Sequence, residues 1–515
     1  MTIKGSELPE AEQKVKGRLV LGGDNITTSH FEVEAQFGDA SSSPAAMAAY
    51  RTAVLMGHRP GYCVEQADAE QAYVQAELSG PATYIILPHE LQTAQERIMV
   101  CPVRRLRKAL YGHPIAGWCW EQHSQGHMRS IGYTPVEGWA SCFYNEKSDS
   151  FACIYVDDFL VVAPKGNIEA CWKAIGDRVE MGTQGPLTHF LGCTHHVTAS
   201  PTPEEPSRIE VQFDMCGYVQ DSVKSYLEQT GISGPLRGAQ TPFLGDEETE
   251  TEVPGKHSAV ARSVLAKLLY CSRLARPDLM LPINLLSRNL TTWTEYHDRA
   301  LARLMSYKVH SQKFVLKGHI GAQAPVMELY CDADHAGCKK TQRSTSGIWL
   351  EVRTGPSSTF PVDWSSKRQG LVSFSTPEAE LVSLDLALKA HGLPCRNLMQ
   401  ATALNKGVRE SAMPLGILIE SVRVSSKTVP LNNMIHLVVQ EDNTAAIVIA
   451  TKGRSPSLRH LSKTHRINIA WLGEVFAEKE NEIVHCETVK QKADGFTKPL
   501  ARLKFYGMLE QLGRS

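Results

Sequence analysis

Two adjacent aspartates, Asp157 and Asp158, interrupt an otherwise apolar run, SFACIYVDDFLVVAPKG, at residues 150–166. Burying even one unpaired carboxylate is costly, so the run must either turn at the pair or present it to something that neutralises it. The flanking apolar runs read as strands, and the simplest geometry is a hairpin with the acids at its turn. A solvated turn is the ordinary explanation, because Asp is common there. A second acidic strand end lies upstream, in VEQADAEQAYVQAEL, where Asp68 follows a short strand and precedes Tyr73 by five residues. Three converging carboxylates repel one another unless cations hold them, and Mg²⁺ bound by carboxylates and substrate phosphates is the usual solution. Two such ions about 3.5–4 Å apart stabilise both the attacking and the leaving oxygens of phosphoryl transfer.

At 515 residues the chain exceeds what one core supports and suggests roughly two to four domains. Its polar opening, MTIKGSELPEAEQKVKG, lacks the apolar stretch of a secretory signal, and no run is long and apolar enough to cross a bilayer. The thirteen cysteines contain no Cys-x-x-Cys pair, which fits reduced thiols inside a cell rather than a disulfide framework or a zinc ribbon. A net charge of −1 gives no overall basic footprint for nucleic acid. Charge is unevenly placed, with CPVRRLRKALYG and the sequence after Lys452 basic and GDEETETEVPG, residues 245–255, acidic. The acidic stretch ends in Pro-Gly and reads as an exposed linker. A second break falls in KGHIGAQAPVM, residues 317–327, and the intervening segment shows the three- and four-residue apolar spacing of packed helices.

A second set of acids follows. VMELYCDADHAG is an apolar strand ending at Asp332; STPEAELVSLDLALKAHG reads as a helix capped by Ser375 or Thr376, with Pro377 in its first turn and Leu381, Leu384 and Leu388 on one face. IHLVVQEDNTAAIVIA ends a strand at Asp442, and VKQKADGFTKPL places Asp494 near a helix start. Taken singly, these are ordinary N-caps and solvent-facing acids.

Taken in order, the motifs resemble the reverse transcriptase and ribonuclease H portion of copia-type retrotransposon Pol polyproteins. QADAEQAYVQAEL resembles the family's palm motif and YVDD its metal-binding hairpin. KGRLV, RRLRKALYG, THFLGC and SRLARPDLMLPINLLSR follow in the family's order. RSTSG, WSSKRQ and SKTHRINIAW extend the likeness through the second half. The resemblance implies an α+β and α/β fold, a right-hand polymerase followed by an RNase H-like αβ domain. Fingers and palm would occupy residues 1–244, an acidic linker and helical thumb or connection 245–325, and the RNase H-like domain 326–515. It implies metal-binding catalytic roles for Asp68, Asp157 and Asp158, and for Asp332, Glu380, Asp442 and Asp494. Glu380 is preferred to Glu378, and Asp332 to Asp334, because the flanking residues then align with the family. Arg18 matches a residue that grips the triphosphate. Tyr73 matches an aromatic under the incoming sugar, which excludes a ribose 2′-hydroxyl. His465 would steady substrate or product, or cap a helix. Arg104, Arg105, Arg107 and Lys108 would bind backbone phosphates.

The implied cofactors are Mg²⁺ or Mn²⁺, two ions per site, and the implied partners an RNA template, a DNA primer, an RNA–DNA hybrid and dNTPs, with no membrane. The implied location is cytoplasmic, in a virus-like particle, with the nucleus as the alternative. A zinc site at His189, Cys193, His195 and His196 is disfavoured by irregular spacing. After KALYG the family continues Leu-Lys-Gln-Ala-Pro, whereas this chain has His113, Pro114, Ile115, Ala116 and Gly117. That departure leaves two rivals: a non-catalytic remnant that keeps the fold, and a ribonuclease H beside a decayed polymerase.

Overall fold

In the computed structural model, residues 2–4, 14–16, 19–23, 43–245, 252–402 and 435–514 are described. They form two compact units, residues 1–53 with 61–187, and residues 54–60 with 188–515.

In the first unit, β1 (Thr2–Lys4) and β2 (Lys14–Lys16) pair antiparallel; helix α1 spans Met47–Gly57, of which residues 47–53 belong to this unit and 54–57 to the second. The main sheet contains β3 (Tyr62–Asp68), β6 (Thr134–Pro135), β7 (Cys142–Asn145), β8 (Ser150–Tyr155), β9 (Asp158–Pro164) and β10 (Gly185–Pro186). Its strand order is β10-β3-β9-β8-β7-β6, antiparallel throughout. A separate ribbon joins β4 (Tyr84–Ile86) to β5 (Val103–Arg105). The unbroken apolar runs of β8 and β9 are what central strands buried on both faces require; Phe151 to Ile154 and Phe159 to Ala163 are all buried. On one face lie α3 (Ala116–Ser130) and α4 (Ile168–Gly176), which bring Cys119, Trp120, Met128, Cys171, Trp172 and Ile175 to Phe159, Val161 and Ala163. The short helix α2 (Ala72–Gln75) follows β3.

The second unit begins with a four-stranded antiparallel sheet, β11 (His189–Phe190), β12 (Cys193–Ala199), β13 (Ile209–Asp214) and β14 (Leu316–Ile320). Strand sequence therefore resumes at Leu316, earlier than expected, and β14 pairs with β13 rather than with the strand that follows it. Between these strands run α5 (Cys216–Thr230), α6 (Ser258–Leu274), α7 (Met280–Ser287) and α8 (Glu295–His310). α6 buries Ala261, Val264, Leu265, Leu268 and Cys271, the spacing read from the sequence. The acidic linker lies mostly outside the described residues.

The remaining sheet has order β17-β16-β15-β18-β19: β15 (Val326–Asp334), β16 (Thr345–Gly355) and β17 (Ser358–Arg368) antiparallel, then β18 (His436–Glu441) and β19 (Asn481–His485) parallel to β15. Trp349 stacks on Trp364 at 5.4 Å and on Phe496 at 6.0 Å. Gly318 lets β14 approach β17, since a Cβ there would sit 2.4 Å from the Phe360 ring. Helices α9 (Thr376–Ala387), α10 (Leu393–Gln400), α11 (Thr444–Lys452), α12 (Ile469–Ala477) and α13 (Arg502–Gln511) complete the unit. Ser375 caps α9 by accepting from the Glu378 N–H, Pro377 sits in the first turn, and Leu381, Leu384 and Leu388 are buried.

Candidate carboxylate metal sites

Strand register assembles the first site. β3 and β9 pair so that Asp68 stands directly opposite Asp158, and the β8–β9 hairpin pairs Tyr155 with Asp158 across a turn made of Val156 and Asp157. The Ala69 N–H donates to the Asp157 carbonyl at 2.7 Å, and the Gly182 N–H to that of Asp68 at 2.8 Å. Val156 adopts φ 60, a left-handed conformation that a β-branched residue rarely takes. Beneath the turn the Trp120 indole N–H donates to the Val156 carbonyl at 2.6 Å, and its ring packs edge-on to Phe159. Asp68, Asp157 and Asp158 are thus gathered at one sheet edge, with Asp68 exposed and the pair half-buried. Their oxygens are not drawn into a three-ligand cluster as tight as that of the second site.

Tyr73, on α2, lies 4.7 Å from the Tyr111 ring, in the KALYG motif. Gly112 (φ 87) packs against the backbone of Leu21: a Cβ would lie 2.0 Å from the Leu21 carbonyl oxygen, a contact only glycine permits. Arg18 lies outside the described residues. His113, one of the residues that depart from the family pattern, is buried and hydrogen-bonds Thr83 at 3.1 Å. Among the basic residues, Arg104 is held by Glu96 through two contacts of 2.5 and 2.8 Å, while the Lys108 amine donates to the Gln75 carbonyl at 3.0 Å. Arg105 and Arg107 are exposed.

The second site lies where β15 and β18 run side by side. Asp332 near the end of β15, Glu380 on α9 and Asp442 just past β18 each offer an oxygen within 4.8 Å of the others. Glu380 reaches them because Ser375 starts α9 where the Ser383 hydroxyl can bond the Asp332 carbonyl at 2.8 Å. Its Oε2 is buried without a hydrogen-bond partner among the described residues. Burial, then the charges of Glu441, Asp332 and Asp442, push the Glu380 carboxyl up to about 11. Burial raises Asp332 to about 7, against the opposing pull of Lys498 and the Thr497 hydroxyl, which donates to Asp332 at 2.5 Å. A buried carboxyl oxygen with no donor, on an acid that burial and its neighbours keep protonated until a cation replaces the proton, faces two further carboxyl groups and makes a ligand set suited to a hard divalent cation.

Asp494 stands beside this group rather than in it: its carboxylate pairs with Lys498 at 2.8 Å and acts on Asp332 through its charge. Asp334 turns away and accepts from the Thr345 N–H. Glu378, fully buried, faces the ring nitrogens of His460 and His465, each 3.3 Å from Oε1.

Sequence reasoning missed Glu441. It is completely buried, pushed up to about 8 first by burial, and bonded by the Asn443 N–H and the Cys331 thiol. The signal was present, since Leu437, Val439 and Glu441 alternate onto the inward face of β18. Asn443, rather than Asp442, caps α11. At the disfavoured zinc position, alternation along β12 separates the candidates: His195 is buried against Phe213 while His196 pairs with Asp214 at 3.5 Å.

Residues 2–202 match the family model for reverse transcriptase, an RNA-dependent DNA polymerase. A putative transposon Ty5-1 protein of Saccharomyces cerevisiae is 27% identical over 287 residues, 55% of this chain and 87% of that protein. The retrovirus-related Pol polyprotein from transposon TNT 1-94 of Nicotiana tabacum is 24% identical over 99% of this chain and 36% of its own length. The chain belongs to the copia-type retrotransposon Pol polyproteins. The corresponding polyprotein from transposon RE1 of Arabidopsis thaliana is 24% identical over 87% of this chain, which covers 27% of it. The chain thus spans about a third, or less, of the length of these plant relatives. Within this Pol chain the family match covers both strands that carry Asp68 and Asp158. No helix among its described residues is long and apolar enough to cross a membrane.

Proposed function

We propose that this Pol chain is an RNA-directed DNA polymerase joined to an RNase H-like domain that cleaves the RNA of an RNA–DNA hybrid. The polymerase half rests on the family match and on the register that sets Asp68 opposite Asp158 beside Asp157. The observation that carries the second activity is the convergence of Asp332, Glu380 and Asp442 at the parallel junction of a five-stranded mixed sheet.

Asp68, Asp157 and Asp158 would hold divalent ions at the first site, and Asp332, Glu380 and Asp442 at the second, with Asp494 adding charge nearby. Mg²⁺ or Mn²⁺, when bound, would neutralise the carboxylates and make an oxygen nucleophile at neutral pH. Tyr73, braced by Tyr111, would close the space under the incoming sugar. Arg105 and Arg107 would meet backbone phosphates directly, whereas Arg104 would first have to leave Glu96. Lys498 and Thr497 would keep Asp332 oriented and partly charge-balanced. Template, primer, hybrid and dNTPs follow as substrates.

The looser first cluster and the sequence departure at residues 113–117 favour one alternative, hybrid cleavage without polymerisation. Two assays on the same preparation separate these readings. Primer extension on an RNA template is expected in the parent and lost in Asp157→Asn, with hybrid cleavage retained. Cleavage is expected to vanish in Asp442→Asn with extension retained. Cleavage without extension would leave only the second site active, and neither activity in the parent would defeat the proposal.

A further inference from the structure

Outside both carboxylate groups, two histidines on one helix face each other in a way the polymerase and ribonuclease readings do not use. His123 and His127 stand four residues apart on α3, hence one above the other on one face. Their Nε2 atoms are 3.1 Å apart, and the rings meet edge to face with centroids at 4.2 Å. Both side chains are half-buried and reach the surface.

We propose that His123 and His127 form a two-histidine site for a borderline transition-metal dication, of the Zn²⁺, Ni²⁺ or Cu²⁺ class. The bite is suitable. Two imidazole nitrogens each about 2.0–2.1 Å from one ion stand ~2.9 Å apart at a right angle and ~3.4 Å apart at a tetrahedral angle. The observed 3.1 Å falls between these limits, so the two nitrogens already stand at chelating separation and the rings have only to turn until both lone pairs meet at one point. In the metal-free chain the same spacing is a hydrogen bond in which one ring donates and the other accepts. Binding asks only that the donor ring move its proton to Nδ1, with no net proton released.

Imidazole donors select these ions over Mg²⁺, which prefers carboxylate and phosphate oxygen, so the site is chemically distinct from the carboxylate clusters. The charges acting on the pair are mixed: Lys108 and Glu77 on His123, Arg178 on His127. The two cations oppose a dication and Glu77 favours it. At half-exposed positions screening weakens all three, leaving chelate geometry to decide. An ion held here would brace α3 one turn from Trp120, whose indole bonds the Val156 carbonyl in the aspartate turn.

The test is calorimetric titration of the full chain with NiCl₂ and with ZnCl₂ in excess Mg²⁺, which competes for the carboxylate sites. The thirteen cysteines supply background sites, so the readout is the difference between parent and variants. His123→Ala and His127→Ala should each lose one equivalent, or weaken it at least tenfold, while His196→Ala keeps it. A second measurement needs no variant. In the parent chain Ni²⁺ should protect His123 and His127, but not exposed His89, from diethyl pyrocarbonate, mapped by mass spectrometry. Equal stoichiometry in parent and both variants, or modification of the two rings at the same rate with and without Ni²⁺, overturns the proposal.

Discussion

Glu380 shows how one side chain reports on the whole cluster around it. Its carboxyl, like those of Asp332 and Glu441, is raised in the folded chain, foremost by burial. A raised acid is protonated more readily folded than unfolded. Its contribution to stability is therefore full below the ordinary carboxylate range and is lost as pH rises. The loss passes through about 7 for Asp332, about 8 for Glu441 and about 11 for Glu380. In EDTA, the thermal stability of the second unit should fall between about pH 5 and about pH 8. Millimolar Mg²⁺ should remove most of that slope, and Glu380→Gln should flatten it without metal. Asp278 is shifted the opposite way, held down by Arg276 and Arg514 against its own burial, so its contribution is lost only at acid pH below this window. Calorimetric scans across pH check this, and a slope unaltered by Glu380→Gln would contradict the electrostatic account.

The β8–β9 hairpin joins local strain to function. A two-residue turn fixes which residues of the run face each other and leaves Asp158 at the start of β9, where the separate β3–β9 register sets it opposite Asp68. Placing Val156 at φ 60 costs about 1–3 kcal/mol, held in place by the flanking ladders and by Trp120. Glycine would relieve that strain but add about 0.5–1 kcal/mol of backbone entropy loss on folding. Val156→Gly should therefore stabilise the first unit by about 1 kcal/mol in denaturant unfolding, while lowering primer extension because Asp157 is less rigidly aimed. Destabilisation by more than that amount would show that the turn is not strained.

Across the whole molecule, the described C-terminal residues are tied to helices more than two hundred positions earlier. Arg514 is buried, donates to the Ala275 carbonyl at 2.6 Å and lies 3.7 Å from Asp278. Arg276 holds the same carboxylate at 2.7 Å, the Tyr307 hydroxyl donates to it at 2.8 Å, and Lys308 is buried nearby with its amine brought down to about 8 by burial. One buried anion thus faces two guanidinium groups and a neighbouring amine. Asp278→Asn leaves these cations unopposed and should destabilise the second unit by about 3–5 kcal/mol. Arg514→Met removes surplus charge while keeping bulk, and should change stability by no more than about 1 kcal/mol. Unfolding of both variants in guanidinium chloride decides the point; equal losses would mean that packing, not charge balance, governs this junction.

Local pattern was enough for much of this. The apolar runs around Asp157 and Asp158, the Ser375 cap with Pro377, and the helical spacing of residues 258–274 are short-range signals, legible because propensity and periodicity act within a few residues. What only the tertiary structure decided depends on contacts between distant segments. These are the pairing of β14 with β13, the buried Glu441 beside the acids that were foreseen, the exclusion of Asp334, and the diversion of Glu378 to His460 and His465. The sequence names carboxylates, but burial and neighbouring charge determine which of them share a proton or an ion. Those quantities exist only once strands remote in the chain lie side by side.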